Sequence, residues 1–449
     1  MNSEGIISGD LRREAWSLAW PTILAGMLVN LTMMMDIFFV GRLGAGAVSA
    51  VGICSQLSWT FASAMMAVTT GTTALVARFV GARELHQAAT AARQGIILSA
   101  LVALAVAVPL YILRWWVLAA FGMPHAVRGM ASLYLSISLL GLVPNFIFVC
   151  LLCIFRGLGD MTTPLRALVL TNGLHLTGDL VLIFGWGPIP ALGVRGAAIA
   201  SATSMLVGAS VCGWWLSRSG LWEVHDGGWR PRLDWCWRTF RIGLPAAVQN
   251  VLRSTGMLVF TIILGRTAHP VTAVAALIMG MRVEGLAFMP GFAFGMVATT
   301  IVGQNLGARQ PERAERGAWM CTWQAVAFMS GVGVFLFALA PEIAGILTSK
   351  ARVAEMTVSY LRINALGEPF LALGVTLTSA LQGAGDTVFP AVVTALTTWI
   401  VRLPAAWLIC LLAGYGAPGA WWTMTGSTLC YGLTMAGWFR TGRWKTKRV

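Results

Sequence analysis

Of the nine ionisable side chains inside long apolar stretches of this chain, we expect three, Asp36, His175 and Asp179, to exchange a proton with water. His175 and Asp179 are four residues apart, so an α-helix would place them on one face. Asp36 follows Pro21 by fifteen residues, and a proline inside a helix allows that helix to bend. An ionisable group in hydrocarbon is costly unless it is paired or hydrated, which makes each of these a candidate for function. The alternative for Asp36 is a structural cap at the end of its helix.

Other side chains in the apolar stretches could line a cavity for a substrate. We predict such a role for the following residues: Met33, Met35, Gln56, Gln249, Arg253, Glu284 and Glu368. Flexible thioethers suit varied ligands, although the methionines could equally face lipid or neighbouring helices. Structural pairing is the alternative for Arg253, Glu284 and Glu368. The remaining ionisable residues inside apolar stretches are Arg282, Arg362 and Arg402.

The composition indicates which elements must position these groups. Hydrophobic residues make up 57% of the 449 residues, charged residues make up 11%, and the mean hydropathy is +0.76. Residues 43–77 and 403–439 contain no Asp, Glu, Lys or Arg. A helix needs about 20 apolar residues to cross ~30 Å of hydrocarbon. We therefore predict an all-α membrane protein of twelve transmembrane helices, which excludes a water-soluble protein.

The apolar stretches fix the approximate start of each predicted span. These starts lie near Trp16, Ser49, Gln94, Met130, Thr163, Gly196, Phe240, Thr272, Ala318, Met356, Val388 and Ala420. Connections on one side of the membrane carry 20 Lys and Arg residues, and those on the other side carry 7. Cytoplasmic connections are the richer in basic residues, so we expect both termini in the cytoplasm and a multi-pass protein of the inner (plasma) membrane.

The net charge of +14 does not predict nucleic-acid binding, because the basic residues form no single patch. Cys150 and Cys153 form a C-x-x-C pair within an apolar stretch, where they serve as small apolar residues in our interpretation. We predict no metal and no cofactor. An intramembrane enzyme would need a catalytic set such as H-E-x-x-H or G-x-S-x-G, and the sequence has neither. We expect a monomer whose partners are the lipid bilayer and small organic molecules.

The chain repeats itself at an offset near 226 residues. The segments 81–83 (GAR) and 307–309 (GAR) match, as do 156–160 (RGLGD) and 382–386 (QGAGD). Because each half has six spans, the repeat is parallel, and we predict two six-helix bundles facing a central cavity. We place the N-terminal lobe at 1–217, a cytoplasmic connecting loop at 218–241, and the C-terminal lobe with its basic tail at 242–449.

The chain resembles the multidrug and toxic compound extrusion (MATE) family along essentially its whole length. The similarity is carried by 36–44 (DIFFVGRLG), 190–198 (PALGVRGAA), 302–307 (VGQNLG) and 381–386 (LQGAGD). Residues 282–290 (RVEGLAFMP) resemble the DinF-like branch. The resemblance implies a secondary antiporter that exports a drug-like or toxic organic compound by alternating access while H⁺ or Na⁺ enters.

The resemblance also implies where the coupling ion binds. The family carries an acid at the position of Asp36, and Asp179 falls where the family has an acid before an Ile-Phe-Gly ending. Four residues before that acid the family usually has Asn, and this chain has His175. An amide oxygen suits Na⁺, whereas imidazole prefers a proton or a softer metal, so we expect H⁺ as the coupling ion and Na⁺ only as the second choice. Asn172 and Ser201 are further candidate contacts, or else helix-packing groups.

The second half departs from the pattern of the NorM-like branch, which places acids in spans seven and ten. Span seven has Gln249 and no acid in the comparable stretch, and Glu368 lies about one turn from the expected position. The coupling site is therefore expected in the first half. The main rival function is a lipid-linked oligosaccharide flippase of the same superfamily. Flippases have additional spans and a cavity with several arginines, so twelve spans and few intramembrane arginines favour drug export.

Overall fold

Apolar segments of this length fold into helices because a backbone in hydrocarbon must satisfy its own hydrogen bonds. A computed structural model describes residues 3–221 and 229–447. Its helices are α1 Ser3–Ser8, α2 Leu11–Gly41, α3 Ala45–Gly81, α4 Leu85–Ala120, α5 His125–Leu140, α6 Leu142–Gly157, α7 Thr162–Phe184, α8 Val194–Ser217, α9 Leu233–Leu264, α10 Pro270–Gly307, α11 Pro311–Ala338, α12 Ala340–Leu347, α13 Ala351–Ala365, α14 Glu368–Gly383, α15 Val388–Leu412 and α16 Gly416–Arg440. Within these residues the only β-type pairing is one isolated bridge between Trp186 and Ile189.

The all-α membrane fold predicted from the sequence is confirmed. Every predicted span start lies within a helix. Among the described residues, eight helices are long and apolar enough to cross a membrane, and two bent pairs raise that number to ten. The bent pairs are α5 with α6, at 46°, and the two parts of α10, at 48°. The other two predicted spans correspond to α13 with α14 and to α16.

The sequence repeat is also a repeat of backbone conformation. Arg83 has a φ of 61° and Arg309 has a φ of 57°, a left-handed conformation that is uncommon outside glycine. Gly159 and Gly385, again 226 positions apart, have φ values of 84° and 85°. Each residue follows the end of a helix, where a left-handed residue lets the last carbonyl groups find amide partners. The two halves therefore share their turns as well as their residues.

The chain divides into two compact units, and the division differs from the predicted lobes. Unit 1 comprises Met1–Glu4 and Trp20–Leu244, and unit 2 comprises Gly5–Ala19 and Pro245–Val449. Both main divisions fall inside long helices, one beside Pro21 in α2 and one at Pro245 in α9. The first turns of α2 thus pack with unit 2, and the first turns of α9 pack with unit 1.

Hydrogen bonds explain why residues 5–19 do not follow the rest of the first half. The Arg313 guanidinium donates to the backbone oxygens of Ile6 and Gly9, and Gln324 Nε2 donates to the oxygen of Arg12 at 3.3 Å. Ile6 and Gly9 lie at the end of α1 and in the link to α2, where a helix leaves its last carbonyl oxygens without intrahelical amide partners. The repeat in the sequence carries no information about these contacts.

The predicted connecting loop, 218–241, is partly helical, because α9 begins at Leu233. The Gln94 side chain holds the approach to this helix, accepting from the amide of Arg232 at 2.9 Å and donating to the oxygen of Arg230 at 2.8 Å. Trp235 then packs against Phe79, with ring centroids 5.7 Å apart. Residues 222–228, the middle of the predicted loop, lie outside the described residues.

A glycine on α8 allows close packing in unit 1. A Cβ added at Gly196 would lie 2.3 Å from the backbone oxygen of Leu182 on α7, so no side chain fits without displacing backbone. We expect Gly196→Val to lower the free energy of unfolding by ~2 kcal/mol, as overpacking of a tight interior does. Thermal unfolding of the purified protein in detergent measures this.

Gly213 on the same helix is the matched control for that substitution. In the described structure nothing lies within 4 Å of a Cβ at Gly213, so Gly213→Val should leave the unfolding midpoint close to that of the unaltered protein. Equal destabilisation by both substitutions would mean that loss of glycine from α8, rather than the contact with α7, is responsible.

Candidate functional site

The ends of α2 and α7 meet inside unit 1 and position the predicted coupling residues. Phe39 and Val40 of α2 are buried against Ile183 of α7, and the Phe39 and Phe184 rings meet edge to face at 6.1 Å. Asp36 lies one helical turn before Val40, and Asp179 lies one turn before Ile183. The apolar contact therefore brings the two carboxyl-bearing faces together.

His175 lies between the two carboxylates. Its Nε2 is 3.8 Å from Asp36 Oδ1 and 3.6 Å from Asp179 Oδ2, and atoms of all three residues lie within 4.8 Å of one another. These two distances exceed those of hydrogen bonds, so the imidazole pairs with each carboxylate through charge when it is protonated. The Asp36 side chain is 35% exposed, whereas the Asp179 side chain is 2% exposed. Asp36 is thus the most exposed member of the cluster, although its Oδ1, the atom nearest His175, is buried.

The cluster has unused hydrogen-bonding capacity. Asp179 Oδ1 is buried and has no hydrogen-bond partner within the described part of the chain, and the same holds for Asn172 Nδ2 on the preceding turn of α7. Buried polar atoms are nearly always paired, so these two are free to bind a water, and the carboxylate oxygen is free to bind a proton or an ion. A proton or a cation would satisfy the free carboxylate oxygen.

Four of the five predicted coupling residues in the first half lie on helices that meet, and the fifth, Ser201, lies on another helix. Asp36, His175, Asp179 and Asn172 come from two helices that meet, as described above. Ser201 on α8 is half-buried, and its backbone oxygen accepts from the Ser204 hydroxyl at 2.8 Å. The contacts found in the described residues do not link Ser201 to the cluster.

Three predicted cavity residues lie elsewhere in unit 1. Met33 on α2 is 40% exposed, and Gln56 on α3 is also exposed. Met35 instead packs partly buried against the core formed by Phe39 and Ile183. Met33 and Gln56 therefore lie at the surface, and Met35 is partly covered. Pro21 is buried within α2 and leaves the helix continuous.

In unit 2, Gln249 is part of a side-chain network between α9 and α15. Its amide donates to Thr394 Oγ1 at 2.8 Å and to the oxygen of Pro390 at 3.3 Å, and it accepts from Gln382 Nε2 at 3.3 Å. These bonds hold the Gln249 side chain in place. Arg253 is exposed, and its guanidinium donates to Asn250 Oδ1 at 3.2 Å.

Glu284 and Glu368 belong to a second buried cluster. The Tyr360 hydroxyl donates to Glu284 Oε2 at 2.5 Å, and Glu368 lies within electrostatic reach of Glu284. Glu368 is 1% exposed, and its Oε2 has no hydrogen-bond partner among the residues described. Arg402 faces Glu284 from a wide, π-helical turn of α15, and its Nε donates to Ser427 at 2.7 Å. Such turns are frequent at functional sites.

Sequence reasoning missed two tyrosines beside these clusters. Tyr134 of α5 lies within electrostatic reach of Asp36 and Asp179, and Tyr360 of α13 binds Glu284. The two tyrosines occupy equivalent repeat positions, 226 residues apart. Their signal in the sequence is that residues 134–135 and 360–361 are both Tyr-Leu, a match at the same offset as the other repeated segments. Each unit therefore places a tyrosine against a carboxylate.

Comparison with known proteins agrees with this arrangement. The family model MatE matches residues 21–181 and 245–408. Probable multidrug resistance protein NorM of Thermotoga maritima is 29% identical over 452 residues, which cover 98% of this chain and 94% of that protein. Probable multidrug resistance protein NorM of Deinococcus radiodurans is 27% identical over 447 residues, covering 96% of each.

Solved structures share the fold. A MOP superfamily transporter from Pyrococcus furiosus superposes with a TM-score of 0.90 at 21% identity, covering 100% of this chain and 99% of that one. A variant of the Vibrio cholerae MATE transporter VcmN gives a TM-score of 0.89 at 20% identity, covering 97% and 99%. At 20–21% identity the solved structures show only that the fold is shared. Membership of the family rests on the match to the family model. This chain belongs to the MatE family and is a multi-pass membrane transporter, not an enzyme.

Proposed function

We propose that this protein is a secondary antiporter that exports drug-like or toxic organic compounds in exchange for H⁺ by alternating access. The observation that carries the coupling is the cluster of Asp36, His175 and Asp179, three titratable groups within 4.8 Å of one another inside unit 1. The names of the relatives from Thermotoga maritima and Deinococcus radiodurans, both probable multidrug resistance proteins, support the class of substrate.

The donor set supports a proton over Na⁺. Two carboxylates and one imidazole offer a nitrogen where a hard cation prefers oxygen, and imidazole binds protons or softer metals. The same three groups have the spacing of a metal site, so a divalent ion is the competitor to be excluded by experiment. We assign the site to H⁺ because each of the three side chains can carry a proton. A bound proton, unlike a metal ion, does not require several ligands in a fixed coordination geometry.

Exposure suggests the order of the proton's path. Asp36 is partly exposed and receives the proton from water. Asp179 and His175 are buried, and the charge of the proton is distributed over all three side chains. Protonation removes a charge from the wall of the site and relaxes the demand for hydration. Pro21 gives α2 a place to bend in response. MATE structures of this fold are known in a bent and a straight conformation.

Transport by purified protein in proteoliposomes tests this function. We expect fluorescent organic cations to accumulate under an imposed pH gradient, and a Na⁺ gradient alone to have little effect. A metal chelator should leave the pH-driven rate unchanged. Strict dependence on Na⁺, or loss of transport on chelation, would contradict H⁺ coupling, and transport of a lipid-linked oligosaccharide instead of the cations would contradict the substrate class.

His175→Asn should change the choice of ion. The substitution replaces the imidazole with an amide oxygen, the type of group that suits Na⁺, four residues from Asp179. We expect pH-driven export to fall and a Na⁺ gradient to drive a larger share of the remaining transport. His125→Asn is the matched control, because His125 lies at the exposed start of α5. An unaltered ratio of H⁺-driven to Na⁺-driven rates in His175→Asn would remove the argument from this residue.

We further propose that the protein works as a monomer in the plasma membrane and belongs to the DinF-like branch. We also propose that both of its termini face the cytoplasm. The distribution of 20 against 7 basic residues supports the orientation. Labelling of a cysteine introduced at Ser3, in intact cells and in opened cells, tests it. Labelling in intact cells by an impermeant reagent would reverse the assignment.

A further inference from the structure

Unit 1 contains a cavity whose lining does not include the residues of the carboxylate cluster. It has a volume of about 630 Å³ and forms where the end of α4, the first half of α5 and the start of α8 meet. Its lining includes Arg114, Trp115, Met130, Ser136 and Arg195. The volume is that of an ordinary small-molecule site.

The cavity is cationic. Arg114 and Arg195 each bring a permanent charge, and residues 85–159 and 180–221, which supply all the lining segments, contain no Asp or Glu. The cavity lies on the side of the membrane whose connections carry fewer basic residues, 7 Lys and Arg in total against 20 on the other side. Two of the seven line this one cavity, so the charge is concentrated here and favours an anion.

The Arg114 guanidinium is held in place but is not saturated. Its Nη1 donates to the oxygen of Tyr111 at 2.5 Å, and the guanidinium carbon lies 4.3 Å from the centre of the Tyr111 ring. Its Nε is buried and finds no hydrogen-bond partner in the described residues. A fixed guanidinium with a free donor is suited to a phosphate group, which accepts several hydrogen bonds at once.

Apart from the two arginines and from Ser132 and Ser136, the side chains that line the cavity are apolar. Trp115 and Met130 line the cavity, and Trp115 and its neighbour Trp116 are 47% and 78% exposed near the end of α4. Tryptophans concentrate at the membrane–water interface. A free inorganic anion would leave this wall unused, whereas an amphiphile with an anionic head would cover both parts.

We propose that this cavity binds an anionic phospholipid, with its phosphate on Arg114 and Arg195 and its acyl chain along Trp115 and Met130. The headgroup supplies the acceptors that the guanidinium lacks, and the chain continues into the bilayer beside the exposed face of α4. Binding at this position would tie together α4, α5 and α8, all within unit 1.

Native mass spectrometry of the full-length protein with phosphatidylglycerol and with phosphatidylethanolamine tests this. We expect tighter binding of phosphatidylglycerol, weakened ~10- to 100-fold in the double variant Arg114→Gln/Arg195→Gln through loss of charge-assisted hydrogen bonds. Arg266→Gln, an exposed arginine after α9, is the matched control and should bind as the unaltered protein does. Equal affinity of the double variant for phosphatidylglycerol would overturn the proposal.

The thermal unfolding midpoint in detergent provides the second readout. Phosphatidylglycerol should raise it in the unaltered protein, and inorganic phosphate alone should not; an equal rise with phosphate would assign the cavity to a free anion instead of a lipid. If the double variant does not fold, the single variant Arg195→Gln, which changes an exposed side chain, replaces it in both measurements. It should also bind phosphatidylglycerol more weakly than the unaltered protein does. Arg114→Lys/Arg195→Lys keeps both charges but loses the guanidinium donors, so it should retain only part of the lipid effect.

Discussion

Asp36→Asn should abolish gradient-driven export while the protein still inserts and folds. The amide has nearly the shape of the carboxyl group but cannot take up or release a proton, and Asp36 is the most exposed member of the cluster. With no exchangeable proton at this position, the gradient has no means of driving the cycle. Efflux of a fluorescent organic cation from proteoliposomes, at equal protein content, measures the loss.

Two substitutions control for this result. Asp36→Glu keeps a titratable carboxyl group and should retain part of the transport. Asp234→Asn removes a carboxylate that is 58% exposed and pairs with Arg232 at the surface, so its transport should match that of the unaltered protein. Efflux by Asp36→Asn close to the unaltered rate would show that the proton is carried elsewhere.

Among the described residues, Asp179 in unit 1 and Glu368 in unit 2 are each 1% exposed and have a carboxylate oxygen without a hydrogen-bond partner, and we expect them to behave differently. Asp179→Asn should lose coupled export, because Asp179 contacts His175 at 3.6 Å and shares the site with Asp36. Glu368→Gln should keep H⁺-driven export and change at most which compounds are carried, since Glu368 lies with Glu284 in unit 2. Transport of several organic cations by each variant, under one fixed pH gradient, separates the two.

Tyr360→Phe provides a control within the second cluster. It removes the hydroxyl that donates to Glu284 and leaves every carboxyl group in place. If the second cluster does not carry the coupled proton, this variant should resemble Glu368→Gln. Loss of H⁺-driven export in Glu368→Gln, with retention in Asp179→Asn, would move the coupling site to unit 2.

The sequence predicted those features that depend on local pattern. Uncharged runs indicated the spans, and the helical period alone placed His175 and Asp179 on one face. The approach of Asp36 to that face depends on packing between Phe39 and Ile183, residues 144 apart in the chain (183 − 39), and only the family resemblance anticipated it. Unpaired atoms such as Asp179 Oδ1 could not be foreseen, because pairing is a property of the folded chain.

The features that were not predicted depend on contacts between distant segments. Residues 5–19 group with unit 2 because Arg313 and Gln324 bind their backbone oxygens. The bond of the Gln249 amide to Thr394 joins two residues 145 apart in the chain, so the sequence did not indicate it. Arg402 was recognised as an intramembrane charge, but its place beside Glu284 depends on a π-helical turn that no periodicity in the sequence indicates.

The most direct test of the account is the proton released when substrate binds. If substrate and proton compete through Asp36, each must weaken the binding of the other by the same factor. Adding a transported organic cation to purified protein in weakly buffered detergent, with a pH-indicator dye, should release protons in proportion to the protein present. The unaltered protein and Asp234→Asn should release them, and Asp36→Asn should bind the cation without release. Equal release from Asp36→Asn, or binding by the unaltered protein with no release at all, would contradict the account.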